Sequence, residues 1–416
     1  MPTSQPHDVA AALSQLDAAG PLYATQAVEL LLAAGRDTGA SDIHLHPTPQ
    51  GLLVQWRIDG VLQRLGEFPR GTAADVVARL KVLAELLTYR TDVPQEGRIR
   101  RSDSLGPAPS PGLAVEMRVS TFPTLHGERA VVRLFAADSR YEYLADLGLP
   151  AEIEAALSRL IVETSGAILL TGPAGSGKTT TAYACLRDAV RLSRGGRSVV
   201  TLEDPVEMAL PGVSQSQVQP VSGFTLAAGL RSLMRQDPEV ILVGEIRDVE
   251  TVQTVFQAAL TGHLVVSTLH AGSAAGALSR LLDMGIEPYL LTSGLRAVLH
   301  QRLVRRLCDC SQPAASPEDL LALPVASARR AAGCDVCRHT GYRGRLVLAE
   351  QLPPLVSDLG QAVLHRRDTA ELSRQATAAG MISVFRRACD AVNGGQTDPA
   401  EVRRVLGFVD GTAAGC

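Results

Sequence analysis

The chain has 416 residues, is 46% hydrophobic and 20% charged, and carries a formal net charge of −3. That is enough apolar material for two or three domain cores, and it offers no case for nucleic-acid binding through bulk charge. No apolar run approaches the roughly 18–20 residues of a membrane span, and the first basic residue is Arg36, so a soluble cytosolic protein without a secretory signal is expected. Seven cysteines, an odd number in a long chain, point to reduced thiols or a metal site rather than a disulfide framework.

Residues 1–21, rich in Ala, Ser, Gln, Pro and Gly, read as a mobile tail. An Ala-rich helical stretch carrying Leu30, Leu31 and Leu32 runs to Gly35. Ala40–His46 then alternates like a strand, and Leu52–Ile58 and Val61–Leu65 flank Asp59-Gly60, a type I′ hairpin signal. Val76–Leu87 reads as an amphipathic helix. Arg98–Arg100, Leu113–Thr121 and Arg129–Phe135 read as further strands, with Ser102–Pro111 as an exposed hairpin insertion. Residues 22–137 thus form one small α+β domain. Its arginines Arg98, Arg118, Arg129 and Arg133 have two readings, a solvated face or side chains aimed across an interface at a phosphate.

Residues 138–150 read as a linker and Ala151–Leu160 as a helix leading to the apolar run Ala167–Leu170. There follows Gly172-Pro173-Ala174-Gly175-Ser176-Gly177-Lys178-Thr179, with Thr180 opening an Ala-rich helix. Strand, G-x-x-x-x-G-K-[ST] and helix together specify a P-loop. Its amides and Lys178 cradle phosphates, and Thr179 can ligate Mg²⁺. Among the 40 basic residues only Lys81 and Lys178 are lysines. A guanidinium cannot replace the compact ammonium a P-loop requires, so one lysine persists there, while Lys81 reads as an ordinary surface residue.

Ser198–Leu202 is a buried-type strand closing on Glu203-Asp204-Pro205-Val206-Glu207, which places Glu203 and Asp204 to reach Mg²⁺ or orient a water; Glu207 reads as an acidic surface position. Thr225–Gln236 reads as a helix with Arg231 and Arg235 on one face, and Val240–Gly244 as a strand closing on Glu245, which stands where a P-loop protein more often has Asp. Glu245 reaches the attacking water more readily than the metal. His270 ends the strand from Gly262 and is placed with Thr268 to sense a γ-phosphate, whereas His263 opens it and is as readily structural.

These boxes, in this order, resemble the secretion ATPase superfamily: the P-loop, Leu202–Glu207, Arg231–Asp248 and Thr261–His270. Ser41–His44, Arg57–Gly60, Gly97–Ile99 and Arg118–Thr121 are similar to the amino-terminal domain of its type II secretion and type IV pilus assembly (extension) branch. The resemblance covers residues 25 to 407. It implies a RecA-like P-loop domain (151–305) behind a small α+β, PAS-like domain. It also implies a homo-hexamer that hydrolyses ATP with Mg²⁺ on a platform protein at the cytoplasmic face of the inner membrane. By the same resemblance Arg118 and Arg133 are arginine fingers, Arg231 and Arg235 lie near the site, and Glu203 and Glu245 organise the water. The branch's additional amino-terminal domain is not expected in a chain that begins here. A same-fold alternative is a pilus retraction motor. Another, of a different class, is a regulatory or scaffold protein that binds ATP without turnover.

Residues 306–350 hold Cys308-Asp309-Cys310 and Cys334-Asp335-Val336-Cys337, similar to the branch's four-cysteine zinc element but with the first pair one residue short. Zn²⁺ on Cys308, Cys310, Cys334 and Cys337 stands against a relic element with free thiols, since C-x-C ligation is strained. Cys185 and Cys389 read as buried small residues and Cys416 as a tail thiol. Residues 351–416 read as closing helices and a disordered end.

Overall fold

Alternation of apolar and polar residues in the first half and continuous apolar runs in the second produce two different sheets. The computed structural model describes residues 6–69, 73–99, 117–134 and 139–408. The chain divides into two units, Met1–Asp138 and Ser139–Cys416.

The first unit runs α1 (Pro6–Ser14), α2 (Tyr23–Asp37), β1 (Asp42–Pro47), β2 (Gly51–Ile58), β3 (Val61–Pro69), α3 (Ala73–Leu83), β4 (Gln95–Ile99), β5 (Met117–Thr124) and β6 (Gly127–Leu134). Its antiparallel sheet has the order β3-β2-β1-β6-β5-β4. One face supplies Ile43, Leu45, Val54, Trp56, Val119 and Val132, which pack with α2 and α3 in one core. The β2–β3 turn has Asp59 at φ 48° and Gly60 at φ 81°, both left-handed as a type I′ turn demands.

Two expectations change here. Residues 6–14, read as tail, are helical, and Val9 and Leu13 enter the core. Their spacing of four, continued by partly buried Leu16, is one face of a helix. Lys81 is fully buried rather than exposed: its Nζ donates to Glu128 Oε1 and Oε2 at 2.8 and 2.9 Å and to Arg90 O at 2.7 Å. An ammonium with three good acceptors is tolerated inside. The hairpin expected at Ser102–Pro111 lies outside the described residues, as do Arg100, residues 113–116 and Phe135.

The second unit comprises α4 (Ala151–Leu160), β7 (Gly166–Thr171), α5 (Lys178–Leu192), β8 (Val199–Glu203), β9 (Ser214–Gln217), α6 (Leu226–Leu233), β10 (Val240–Glu245), α7 (Val249–Leu260), β11 (Leu264–Leu269), α8 (Ala274–Asp283), α9 (Pro288–Gly294), β12 (Leu295–Leu307), β13 (Gln312–Pro313), β14 (Arg329–Arg330), β15 (Tyr342–Gln351), α10 (Ser357–Leu364), α11 (Thr369–Ala378), α12 (Val384–Asn393) and α13 (Pro399–Leu406). The sheet order is β15-β12-β7-β11-β10-β8-β9, parallel except for β15. Strands β7, β8 and β11 are buried along their whole length because each face of the sheet carries its own core, with α4 and α5 on one side and α7 to α11 on the other.

The stretch read as a linker belongs to this unit: Leu144 is buried against α5 and its N–H donates to Asp188 Oδ2 at 3.0 Å. The stretch read as a separate cysteine element shares its ends, β12 and β15, with the sheet. In the closing region, Glu401 of α13 accepts from the Arg305 guanidinium at 2.7 and 3.0 Å. Residues 409–416, where a disordered end was expected, lie outside the described residues. Among the described residues no helix is long and apolar enough to cross a membrane.

Candidate functional site

All the parallel strands discharge their carboxyl ends on one edge, where open α/β sheets bind ligands. β7 ends in the P-loop, β8 in Glu203, β10 in Glu245, and β11 leads into His270. The P-loop is pressed against β12. At Gly172, with φ at 144°, a Cβ would meet Gln301 O and Ser176 Oγ at 2.5 Å each, so no other residue fits. Gly177, at φ 90°, caps α5 in the left-handed conformation. The Gln301 amide donates to Ser176 O at 2.7 Å and its oxygen accepts from Thr181 at 3.1 Å, tying loop to helix. Sequence reasoning missed Gln301, because its contacts lie more than a hundred residues away along the chain.

Lys178 folds over the loop, donating to Gly172 O at 2.9 Å and Pro173 O at 3.0 Å. Burial lowers the pKa of its ammonium, while Glu245 and Glu207 oppose the shift. Ser176 Oγ is buried with no partner among the described residues, and Ala174, Gly175 and Thr180 line the exposed crest. An orphaned hydroxyl, a loop turned so tightly at Gly172 that no Cβ fits, and the N–H groups that a helix's first turn leaves without intrahelical partners fit a nucleotide's phosphates.

The acids sort differently from the sequence expectation. Glu203 is 3% exposed and accepts from Tyr183 Oη at 2.5 Å, Thr201 Oγ1 at 2.6 Å and Gln215 Nε2 at 3.2 Å. Three donors and burial hold this carboxylate within the protein. Tyr183 also accepts from the Glu207 N–H at 3.2 Å, and burial, followed by Glu203, drives its phenol far above the ordinary range, keeping it a neutral donor. Glu203 therefore anchors the loop that brings Glu207 to Thr179, whose Oγ1 donates to Glu207 Oε1 at 3.3 Å. Glu207, read as a surface position, is the acid beside the Thr179 hydroxyl.

Glu245 accepts from Arg247 Nε at 2.7 Å and meets His270 Nε2 at 2.6 Å; His270 Nδ1 lies 3.1 Å from Gly172 O. Both imidazole nitrogens face acceptor oxygens. His270 thus ties the acid on β10 to the mouth of the P-loop. Arg247 Nη1 also lies 3.8 Å from Asp204. Thr268 is spent on Gly244 O at 2.8 Å, and His263 Nδ1 on Ala258 O at 3.1 Å, a structural role.

Two expected neighbours are not gathered in. Arg231 pairs with Glu250 at 2.8 Å, and α6 ends at Leu233, so Arg235 lies beyond the helix instead of one turn along its face. In the first unit, Arg118 pairs with Glu96 and Arg133 with Asp42.

The cysteines converge as one group, with their Sγ atoms within 4.8 Å of one another. Cys308–Cys334, Cys310–Cys337 and Cys334–Cys337 are separated by 3.9, 3.8 and 3.7 Å. A tetrahedron with Zn–S bonds of about 2.3 Å has edges of about 3.8 Å. The short C-x-C pair fits because each of its sulfurs faces one sulfur of the C-x-x-C pair. Burial raises the Cys337 thiol, but N–H groups of Cys334 and Gly341, each 3.2 Å away, outweigh it and bring the thiol down to about 7.

The type II secretion system ATPase E of Vibrio cholerae is 42% identical over 385 residues, 91% of this chain and 74% of that one. The type II secretion system protein E of Pectobacterium carotovorum is 42% identical over 395 residues, 94% of this chain and 77% of that one. The crystal structure of the ATPase DotB from Legionella pneumophila shares the fold at 20% identity, with a TM-score of 0.66 over 90% of this chain and 94% of that one. Residues 22–404 match the family model for type II/IV secretion system proteins, and the chain belongs to that family of secretion ATPases.

Proposed function

We propose that this chain hydrolyses ATP to ADP and phosphate to drive type II protein secretion or type IV pilus assembly. It works as a homo-hexamer, peripheral to a membrane platform protein at the cytoplasmic face. The observation that carries the reading is the link from Glu245 through His270 to Gly172 O, which holds an acid beside the loop that cradles phosphates.

Lys178 and the amides of Gly175–Thr179 bind the β- and γ-phosphates, and Thr179 with Glu207 holds Mg²⁺, which when bound neutralises phosphate charge. Glu245 accepts a proton from the attacking water, with His270 and Arg247 fixing its carboxylate. Arg118 and Arg133 act as fingers toward transition-state charge. Zn²⁺ on Cys308, Cys310, Cys334 and Cys337 cross-links the segment between β12 and β15 and takes no part in turnover.

The test is a pair of variants. Lys178→Ala abolishes tight ATP binding and hydrolysis, whereas Glu245→Gln binds ATP nearly as wild type and fails to turn it over. Wild-type turnover in Glu245→Gln would remove Glu245 from the water. No turnover by the wild-type protein with ATP and Mg²⁺ would leave the scaffold reading.

A further inference from the structure

The strand register of the first unit lays one charged row across its sheet. Arg57 lies opposite Asp42, Asp42 opposite Arg133, Arg133 opposite Arg118, and Arg118 opposite Arg98. Residues directly opposite point to the same face, and like charges so placed destabilise a sheet. Four arginines in register thus carry a folding cost, and Asp42 is the single acid in the row.

Asp42 is also set apart by burial. Its side chain is 8% exposed, while that of Arg133 is 62% exposed. Oδ1 accepts from Arg133 Nε at 3.0 Å, and Oδ2 accepts from Ser41 Oγ at 2.8 Å and lies 3.6 Å from Arg57 Nε. The carboxylate is thereby fixed from both sides. It takes the inner nitrogen of the Arg133 guanidinium and leaves the Nη1–Nη2 pair, which has no other partner among the described residues, facing solvent. That outer pair is the fork that matches two oxygens of a phosphate. Arg118 differs, because its Nη2 is already engaged by the exposed Glu96.

We infer that Asp42 is the positioning residue for Arg133, holding its guanidinium by Nε so that the outer nitrogens are presented to a phosphate group. The inference rests on the reading of Arg133 as a finger. A long flexible cation so tethered loses less freedom when it engages charge, which favours the transition state without adding ground-state contacts.

The test is a double-mutant cycle on the full-length protein, reading kcat and KM for ATP in wild type, Asp42→Ala, Arg133→Ala and the double variant. Arg133→Ala is expected to lower kcat about 100-fold. Asp42→Ala should lower it about tenfold with KM moved less than about threefold, and the double variant should be no slower than Arg133→Ala alone. Asp42→Asn keeps a neutral acceptor for Nε and should recover part of the loss. It also carries the cycle if the alanine variant melts below wild type. A wild-type kcat in Asp42→Ala beside a slow Arg133→Ala overturns the inference and leaves the finger standing. A double variant slowed by the product of the single effects, about 1000-fold, also overturns it, since the two residues then act independently. A wild-type kcat in Arg133→Ala removes the finger reading itself.

Discussion

Replacing Glu203 and Glu207 separately by Gln distinguishes anchor from actor at the edge of β8. Glu203 accepts three hydrogen bonds at 2.5, 2.6 and 3.2 Å in a buried setting. A glutamine there offers one acceptor oxygen and turns an N–H₂ group toward donors, so one buried partner is left unsatisfied at a cost of about 1–3 kcal/mol. At roughly 2–4 °C per kcal/mol for a unit of this size, the melting temperature should fall by several degrees. Turnover should fall only as far as the loop holding Glu207 loosens, about tenfold or less. Glu207 is exposed, and its Oε1 accepts from Thr179 at 3.3 Å, a bond that an amide oxygen can also accept, so Glu207→Gln should melt close to wild type. Its turnover should instead drop steeply and need more Mg²⁺ for half-maximal rate. Thermal melts and Mg²⁺ titrations of ATP hydrolysis read both effects. If Glu203→Gln melted like wild type but lost turnover 100-fold or more, Glu203 would be the catalytic acid and the assignment made here would fail.

Further outcomes follow from the cysteines and from His300. Elemental analysis should find about one Zn²⁺ per chain, and chelation should raise hydrogen exchange in residues 305–345 without emptying the nucleotide site; substoichiometric zinc in chelator-free preparations would favour free thiols. His300 is 2% exposed, and burial, followed by Arg302 and Lys178, pushes its pKa down from 6.5 to about 4. A depressed folded-state pKa means that the unfolded chain takes up the proton first. Its contribution, roughly 3 kcal/mol at ~1.36 kcal/mol per pH unit, is therefore present above pH 6.5 and lost as pH falls toward 4. His300→Asn should flatten the stability slope in that window, and an unchanged slope in urea melts would exclude the residue.

Much of the fold was legible because its signals are local. Alternation at Asp42–Pro47 and Gly51–Ile58, and a left-handed pair at Asp59-Gly60, specify a hairpin within some twenty residues. The apolar runs of β7, β10 and β11 announce strands covered on both faces. Composition alone hides the first helix, whose Val9 and Leu13 nevertheless carry a helical spacing. Lys81 is illegible for a different reason: its burial is decided by Glu128, 47 residues on, through a pairing that no window around Lys81 contains.

The site repeats that division. Glycines, Lys178 and Thr179 are legible because the phosphate cradle is made of consecutive residues, whereas the choice among Glu203, Asp204 and Glu207 depends on which direction each side chain takes from the strand end. One rule was available and would have decided it. Every residue of β8 is buried because the strand is covered on both faces, so its last residue, Glu203, points into the protein and needs partners there. Tyr183, on the P-loop's own helix, is that partner. The buried acid holds the helix and the following loop together, and the acid that meets Thr179 comes one turn of chain later, where the backbone has left the core. An acidic strand end in a doubly covered sheet thus divides by depth: the innermost carboxylate fixes the loop and the outermost meets the P-loop hydroxyl.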